Sequence, residues 1–353
     1  MGEPVKIGIV GCGKISGQYT ETFRNLPGLV VYAVADLDQN RAQALAAETG
    51  ARAMTVGDLI DACDLVLNLT VPAAHTEVAL RALAAGKDVY GEKPLAATLE
   101  EAHTVMASLN GAKLGCAPDT VLGTGFQTAR HHLDAGLIGR PAAAMATMIT
   151  AGPEPWHPDP DFYYLPGGGP LLDMGPYYVT ALVTLLGPVV SAIGASSRTR
   201  QERVIGSGPR VGTRIPVTTD THVTGVLTHA SGALSTLIMS FDGSATRAPN
   251  IEVHGDLGTL IVPDPNRFDG DVLVHRVGQT WEPLPVTAGY RDSGRGIGVY
   301  DMITAPRPRA SGELALHVLD VMESLLRSAV TGQSEAVKST CDRPDPVPLQ
   351  SLA

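Results

Sequence analysis

Over about the first 120 residues, short apolar runs alternate with stretches of helical period. Residues 5–10, 29–35, 64–69, 88–90 and 113–117 read as buried strands, being brief, apolar and bounded by Gly, Asp or Pro. Between them, residues 15–25, 39–49, 75–85 and 99–109 place apolar side chains at the three-to-four spacing of one helix face. Strands alternating with helices predict a parallel sheet covered on both faces. A helix over 123–136 closes this pattern. Beyond Pro141 the runs turn Thr/Val/Ile-rich, at 142–151, 189–196, 222–227, 233–240, 251–254 and 259–262, which predicts a mostly antiparallel, open sheet. Two helices, 171–186 and 313–330, accompany it, the second with Leu314, Val318, Val321 and Leu325 on one stripe. The expected division is an α/β domain over 1–121, an α+β domain over 122–331, and a Pro-rich tail over 332–353 lying on the surface. Residues 200–215 and 285–311, rich in Arg, Gly, Ser and Pro, read as long or mobile loops.

Composition narrows the function. The 353 residues suffice for two full-sized cores. With 26 basic against 36 acidic residues the net charge is -10, which argues against a nucleic-acid partner, since phosphate-backbone binding relies on clustered Lys and Arg. No apolar run approaches the roughly 18 residues of a membrane span, and the N-terminal stretch has no basic region leading into an apolar one. Cys12, Cys63, Cys116 and Cys341 form no CxxC pair and the histidines no HExxH, so the expectation is a soluble cytoplasmic protein without disulfides or structural metal. Asn68-Leu69-Thr70 matches a glycosylation pattern but closes an apolar strand, and carries no weight.

Gly11-Cys12-Gly13-Lys14-Ile15-Ser16 follows the first strand and opens the first helix, the context of a dinucleotide-binding fingerprint. Gly11 permits the tight turn, Gly13 lets a pyrophosphate approach the backbone, and Ser16 is the third small residue. The helix N-terminus offers free N–H groups to the phosphates. Asp36 closes the second strand where a carboxylate accepts from the adenosine ribose hydroxyls and repels a 2'-phosphate, with Leu37 beside it; NAD is expected over NADP. Two further turns sit at carboxyl ends of parallel strands, where open α/β sheets bind ligands. Thr70, Pro72 and His75 belong to one, Glu92, Lys93 and Pro94 to the other, and Pro94 biases Lys93 away from helical backbone.

In this order GCGKIS, VPAAH, EKP and the segment GGGPLLDMGPYY at 167–178 resemble the Gfo/Idh/MocA-type NAD(P)-dependent oxidoreductases, the family of glucose-fructose oxidoreductase and inositol dehydrogenase, over nearly the whole chain. The resemblance implies an N-terminal Rossmann domain, a C-terminal α+β domain on an open sheet, and a homodimer or homotetramer. It also implies that Lys93 takes part in proton transfer at the substrate, that Asp173 is a catalytic aspartate, and that Tyr177 occupies a position usually held by histidine. Asp173 and Tyr177 are four residues apart and share one helix face. Oxidising a secondary alcohol needs a base for the hydroxyl proton as hydride leaves carbon, and a nearby oxidised nicotinamide favours the neutral amine of Lys93 for that task.

Six of the 16 Phe, Tyr and Trp residues fall between 156 and 178. Trp156, His157 and Tyr163, close to carboxylates, suit a polyhydroxylated substrate whose C–H faces pack on rings and whose hydroxyls are hydrogen-bonded. Asp159 and Asp161 lack a His or Glu at ligand spacing, so no metal is expected there. The resulting expectation is hydride transfer between NAD and a sugar, polyol or glycoside, with Lys93, Asp173 and Tyr177 around the reacting oxygen. Two alternatives stay open: an NAD-dependent glycoside hydrolase using transient oxidation, and a non-catalytic NAD or sugar sensor.

Overall fold

Strand and helix alternate through the first part of the computed structural model, which describes residues 3–352. The elements are β1 (Val5–Val10), α1 (Ser16–Phe23), β2 (Leu29–Ala35), α2 (Gln39–Thr49), β3 (Arg52–Ala53), α3 (Val56–Ala62), β4 (Leu65–Asn68), α4 (Pro72–Ala84), β5 (Asp88–Gly91), α5 (Leu99–Ala107) and β6 (Leu114–Cys116). All pairings are parallel, in the order β3-β2-β1-β4-β5-β6. Ile7, Ile9, Val66 and Leu67, near-continuous apolar residues of the two central strands, are fully buried, as strands covered on both faces require. The order reverses between β1 and β4, which opens a crevice at their carboxyl ends. Strand β3 and helix α3 escape a periodicity reading because the strand has two residues and the helix buries only Leu59 and Ile60.

Helix α6 (Thr124–Asp134) precedes β7 (Pro141–Ile149), α7 (Pro170–Leu186), β8 (Val189–Ser197), β9 (Glu202–Val204), β10 (Arg214–Pro216), β11 (His222–His229), β12 (Leu234–Ser240), β13 (Ile251–Gly255), β14 (Gly258–Val262), β15 (Leu273–Arg276), β16 (Glu282–Pro283), α8 (Ile297–Thr304), α9 (Gly312–Thr331) and β17 (Glu335–Ala336). Nine strands form one sheet, ordered β16-β15-β14-β13-β7-β12-β11-β8-β17, antiparallel except for the pairing of β7 with β12. Helix α7 packs on β7, β11 and β12 and is buried over nearly its whole circumference, which suits its second half, apolar except for Thr180 and Thr184, the Thr184 hydroxyl being satisfied by the Thr180 carbonyl. On α9, Leu314, Val318, Val321 and Leu325 are all buried, as their stripe requires.

Contacts group the chain into two units that do not follow the linear division at 121 and 331. One comprises 1–127, 287–316 and 344–353; the other comprises 128–286 and 317–343. Three expectations are corrected. Residues 200–215 are not a free loop: β9 and β10 pair, and Arg203 is buried because Glu154 and Asp242 neutralise it. Within 285–311, α8 forms; the Asp119 carboxylate accepts from the Gly296 and Gly298 amides at its start, and Asp301 pairs with Arg309. The tail is likewise docked. β17 pairs with β8, and the fully buried Val347 donates its amide to Gln127 Oε1 at 2.9 Å.

Candidate functional site

In the first unit the turn after β1 is shaped by close backbone approach. Gly11 has φ 99°, and a Cβ there would lie 2.6 Å from the Leu69 carbonyl oxygen, so glycine is required. A Cβ on Gly13 would instead meet no atom within 4 Å, which leaves open space in front of α1. Ser16 fills the third small position by turning its hydroxyl back onto the Gly13 carbonyl, at 2.7 Å. No side chain caps α1; the Ser16 and Gln18 amides donate to the Gly13 and Ile15 carbonyls at 3.1 and 3.0 Å, and the positive end of the helix dipole faces the space beside the half-buried Ile15 and the exposed Lys14. Asp36 accepts from Cys12 N at 2.7 Å on one oxygen and from Asp38 N at 2.8 Å on the other. Each oxygen keeps a lone pair for a ribose hydroxyl. Burial and the Asp36 charge push the Cys12 thiol up to about 11, so it stays protonated near neutral pH. Leu37 is wholly exposed next to Asp36. Open space at Gly13, an uncapped helix start and a carboxylate at the second strand end fit a dinucleotide.

The turns after β4 and β5 are tied together by side chains. His75, in the first turn of α4, has Nδ1 2.7 Å from the Pro94 carbonyl oxygen and Nε2 3.0 Å from that of Thr70. A neutral ring donates to one of them, an imidazolium to both. His75 is 2% exposed, so it positions the two turns, in contrast to the cofactor contact expected for it. Asn68 adds a second clasp, donating to the His75 carbonyl at 3.0 Å and accepting from the Thr70 hydroxyl at 2.6 Å. Glu92 accepts from Tyr19 Oη at 2.7 Å and from the Lys93 amide at 3.1 Å, anchoring the Lys93 turn to α1. Lys93 is half-buried, and the Lys93–Pro94 peptide is cis. Pro72 occupies the N-terminus of α4 and is exposed.

The second unit contains a cavity of about 270 Å³. Asp173 and Met174 of α7, Trp156 and Tyr178 line it, joined by Asn250 and Asp264. Gly169 caps α7 at φ 91° and Pro170 starts it, which puts Asp173 in the first turn, where the helix dipole favours a carboxylate. Tyr178 accepts from Asn250 Nδ2 at 2.7 Å, and burial and the charge of Asp264 raise its hydroxyl well above the usual tyrosine range, so it remains a donor. Tyr177, one turn from Asp173, is buried and outside this lining.

Of Trp156, His157 and Tyr163, only Trp156 lines the cavity. His157 packs edge-on against Trp156, Phe162 and Tyr163, with ring centroids 5.5 to 5.6 Å apart, so His157 and Tyr163 build the wall behind Trp156. Asp159 and Asp161 are engaged by Arg210, at 3.2 and 2.7 Å. Among the described residues no group of three or more His, Cys, Asp or Glu is placed to hold a metal ion. Sequence reasoning missed Asn68, Tyr19, Asn250 and Asp264. Only Asn68 carried a signal, as a polar residue ending an otherwise apolar buried strand.

Sheet order and turn geometry define a dinucleotide-binding α/β unit, accompanied by a mixed-sheet unit with a largely apolar cavity that holds a few polar groups. Two family models match the chain: the NAD-binding Rossmann fold of an oxidoreductase family over residues 5–118, and the GFO/IDH/MocA C-terminal domain over residues 126–261. The chain belongs to the GFO/IDH/MocA oxidoreductase family. It is 34% identical to an inositol 2-dehydrogenase of Ralstonia nicotianae over 39% of this chain and 43% of that protein. It is 30% identical to a dTDP-3,4-didehydro-2,6-dideoxy-alpha-D-glucose 3-reductase of Actinomadura kijaniata, over 61% of this chain and 67% of that one. The match thus spans less than half the length of the first of these relatives. An NAD-binding oxidoreductase structure from Klebsiella pneumoniae superposes with a TM-score of 0.80 at 24% identity, over 95% of this chain and 99% of that one, which shows the shared fold.

Proposed function

We propose that the protein is an NAD-dependent dehydrogenase or reductase acting on the secondary alcohol or carbonyl of a sugar, polyol or glycoside. The observation that carries this reading is the cavity in which Asp173 is joined by hydroxyl, amide and carboxylate groups and one indole face. NAD, when bound, supplies the acceptor or donor of the hydride. Lys93 takes the hydroxyl proton on its amine during oxidation and returns it during reduction, Asp173 orients the substrate, and Tyr177, buried outside the cavity lining, acts through the helix it shares with Asp173. The Asp36 carboxylate disfavours a 2'-phosphate, and Arg41 leans toward Asp38 at 3.5 Å, which supports NAD over NADP.

Replacing Lys93 by Met is expected to lower kcat by at least about a hundredfold while leaving NAD affinity within a few-fold. Turnover with an active sugar and NAD affinity by fluorescence titration check this separately; retained turnover overturns the role. The reading extends to a homo-oligomer, supported by an exposed apolar sheet face, and to a cytoplasmic setting, supported by four free cysteines.

A further inference from the structure

Tyr178 brings a buried hydroxyl to the cavity. It follows Met174 by one turn of α7, so both line the same space, and it is only 1% exposed. Its oxygen accepts from Asn250 Nδ2 at 2.7 Å, and among the described residues nothing accepts the phenol proton in turn. Asp264, whose charge helps to keep the phenol protonated, makes no hydrogen bond to it and accepts the Asn266 amide at 2.9 Å. A buried O–H without an acceptor is costly, and one held against a cavity calls for an oxygen from the ligand.

Asn250 is fixed by the sheet. It stands immediately before β13, and its backbone carbonyl accepts the Thr147 amide at 2.8 Å, which continues the ladder beyond the pairing of Ile251 with Ala146. Its Oδ1 accepts from no described residue. Turning the amide over exchanges the roles of the two side chains and leaves the same surplus, one donor and one acceptor side by side. A hydroxyl, which gives one hydrogen bond and takes another, satisfies both.

We infer that Tyr178 and Asn250 are specificity-determining residues that together read one substrate hydroxyl, distinct from the reacting one assigned to Lys93. Removing that hydroxyl, or inverting its carbon, leaves the phenol proton buried and unpaired, so the pair selects among stereoisomers. The inference rests on the reading of the Asp173 cavity as the substrate site.

The test is calorimetric titration of the NADH-loaded protein with D-glucose, myo-inositol and their monodeoxy analogues. One monodeoxy analogue is expected to bind at least about tenfold more weakly than its parent. In Tyr178→Phe, which keeps the ring, that ratio is expected to fall to within about threefold while the ratios for the other positions hold. Asn250→Ala, at a half-buried position, is expected to do the same and carries the test if the phenylalanine variant fails to fold. Binding of neither parent, no ratio as large as about tenfold in the wild type, or unaltered ratios in the folded variants overturns the inference. Trp156→Ala distinguishes this from failure of the cavity reading. If it and Tyr178→Phe both leave the affinity of every probe unchanged, the cavity is not the substrate site; weaker binding in Trp156→Ala with unaltered ratios in Tyr178→Phe removes the Tyr178–Asn250 assignment alone. Probes that bind with the expected pattern without being oxidised or reduced sink the dehydrogenase reading and leave the pair standing.

Discussion

At the residue scale, side chains read as ligand contacts divide by what the backbone already asks of them. Gly11 and Gly13 carry different requirements, one a close carbonyl and the other open space, and their order in the sequence is enough to show both. His75 and Glu92 were equally visible, but their atoms are committed to carbonyls, an amide and a tyrosine, of which the Pro94 carbonyl and Tyr19 come from other segments of the chain. Asp119 shows what burial does to a group that no motif announces. It is fully buried with one oxygen on the Gly296 and Gly298 amides, and desolvation, outweighing those two hydrogen bonds, pushes its carboxyl from 3.8 up to about 6. The folded protein therefore holds this proton more tightly than the unfolded chain does. Its contribution to stability is fully present below the ordinary value of 3.8 and is lost as pH rises through about 6. Asp119→Asn, which keeps an acceptor for both amides, is expected to flatten the dependence of Tm on pH between about 4 and 6. Calorimetric scans across that window check it, and parallel profiles for the two proteins count against it.

At the element scale, long apolar-patterned elements were legible and short ones were not. Helix α7 was evident because a Gly-Pro start, a first-turn carboxylate and an apolar run agree. Strands β9 and β10 were hidden, since three-residue strands have too little alternation to register and Arg203 reads as solvated unless its partners are known. In the structure Arg203 is a hub, bonded to Glu154, Asp242 and the carbonyls of Ala151 and Phe241, and lying over the Tyr164 ring; Tyr164 in turn donates to Glu154. This network ties β9 to the segment that carries Trp156. Arg203→Met leaves two buried carboxylates uncompensated and is expected to cost about 3–5 kcal/mol. Urea unfolding followed by circular dichroism measures the loss, and a change below about 1 kcal/mol would show that the carboxylates find other partners.

At the scale of the whole molecule, the nine-stranded sheet has one face under α7 and an opposite face that carries several exposed apolar side chains. Ile193 of β8, Val226 of β11, Thr236 of β12 and Met145 of β7 follow one another across the sheet, and the three apolar ones are 53%, 39% and 43% exposed, with Leu234 nearby at 48%. A solvated antiparallel sheet normally alternates apolar inside with polar outside, and a cluster of exposed apolar side chains marks a contact surface. A second copy of the chain is the proposed occupant. Replacing both Ile193 and Val226 by Glu is expected to convert the oligomer to monomer without loss of secondary structure, as read by light scattering and circular dichroism; a wild-type protein that is already monomeric refutes the assignment. Sequence alone determined the alternation of strands and helices, the dinucleotide turn, the Asp173 helix and the change of sheet type, because each follows from local period, turn chemistry or adjacent residues. Tertiary structure alone decided that 287–316 and 344–353 join the first unit, that Asn250 and Asp264 meet Asp173 around one cavity, and which carboxylates are already paired. Those outcomes depend on contacts between residues far apart in the chain, where neither spacing nor composition carries a signal.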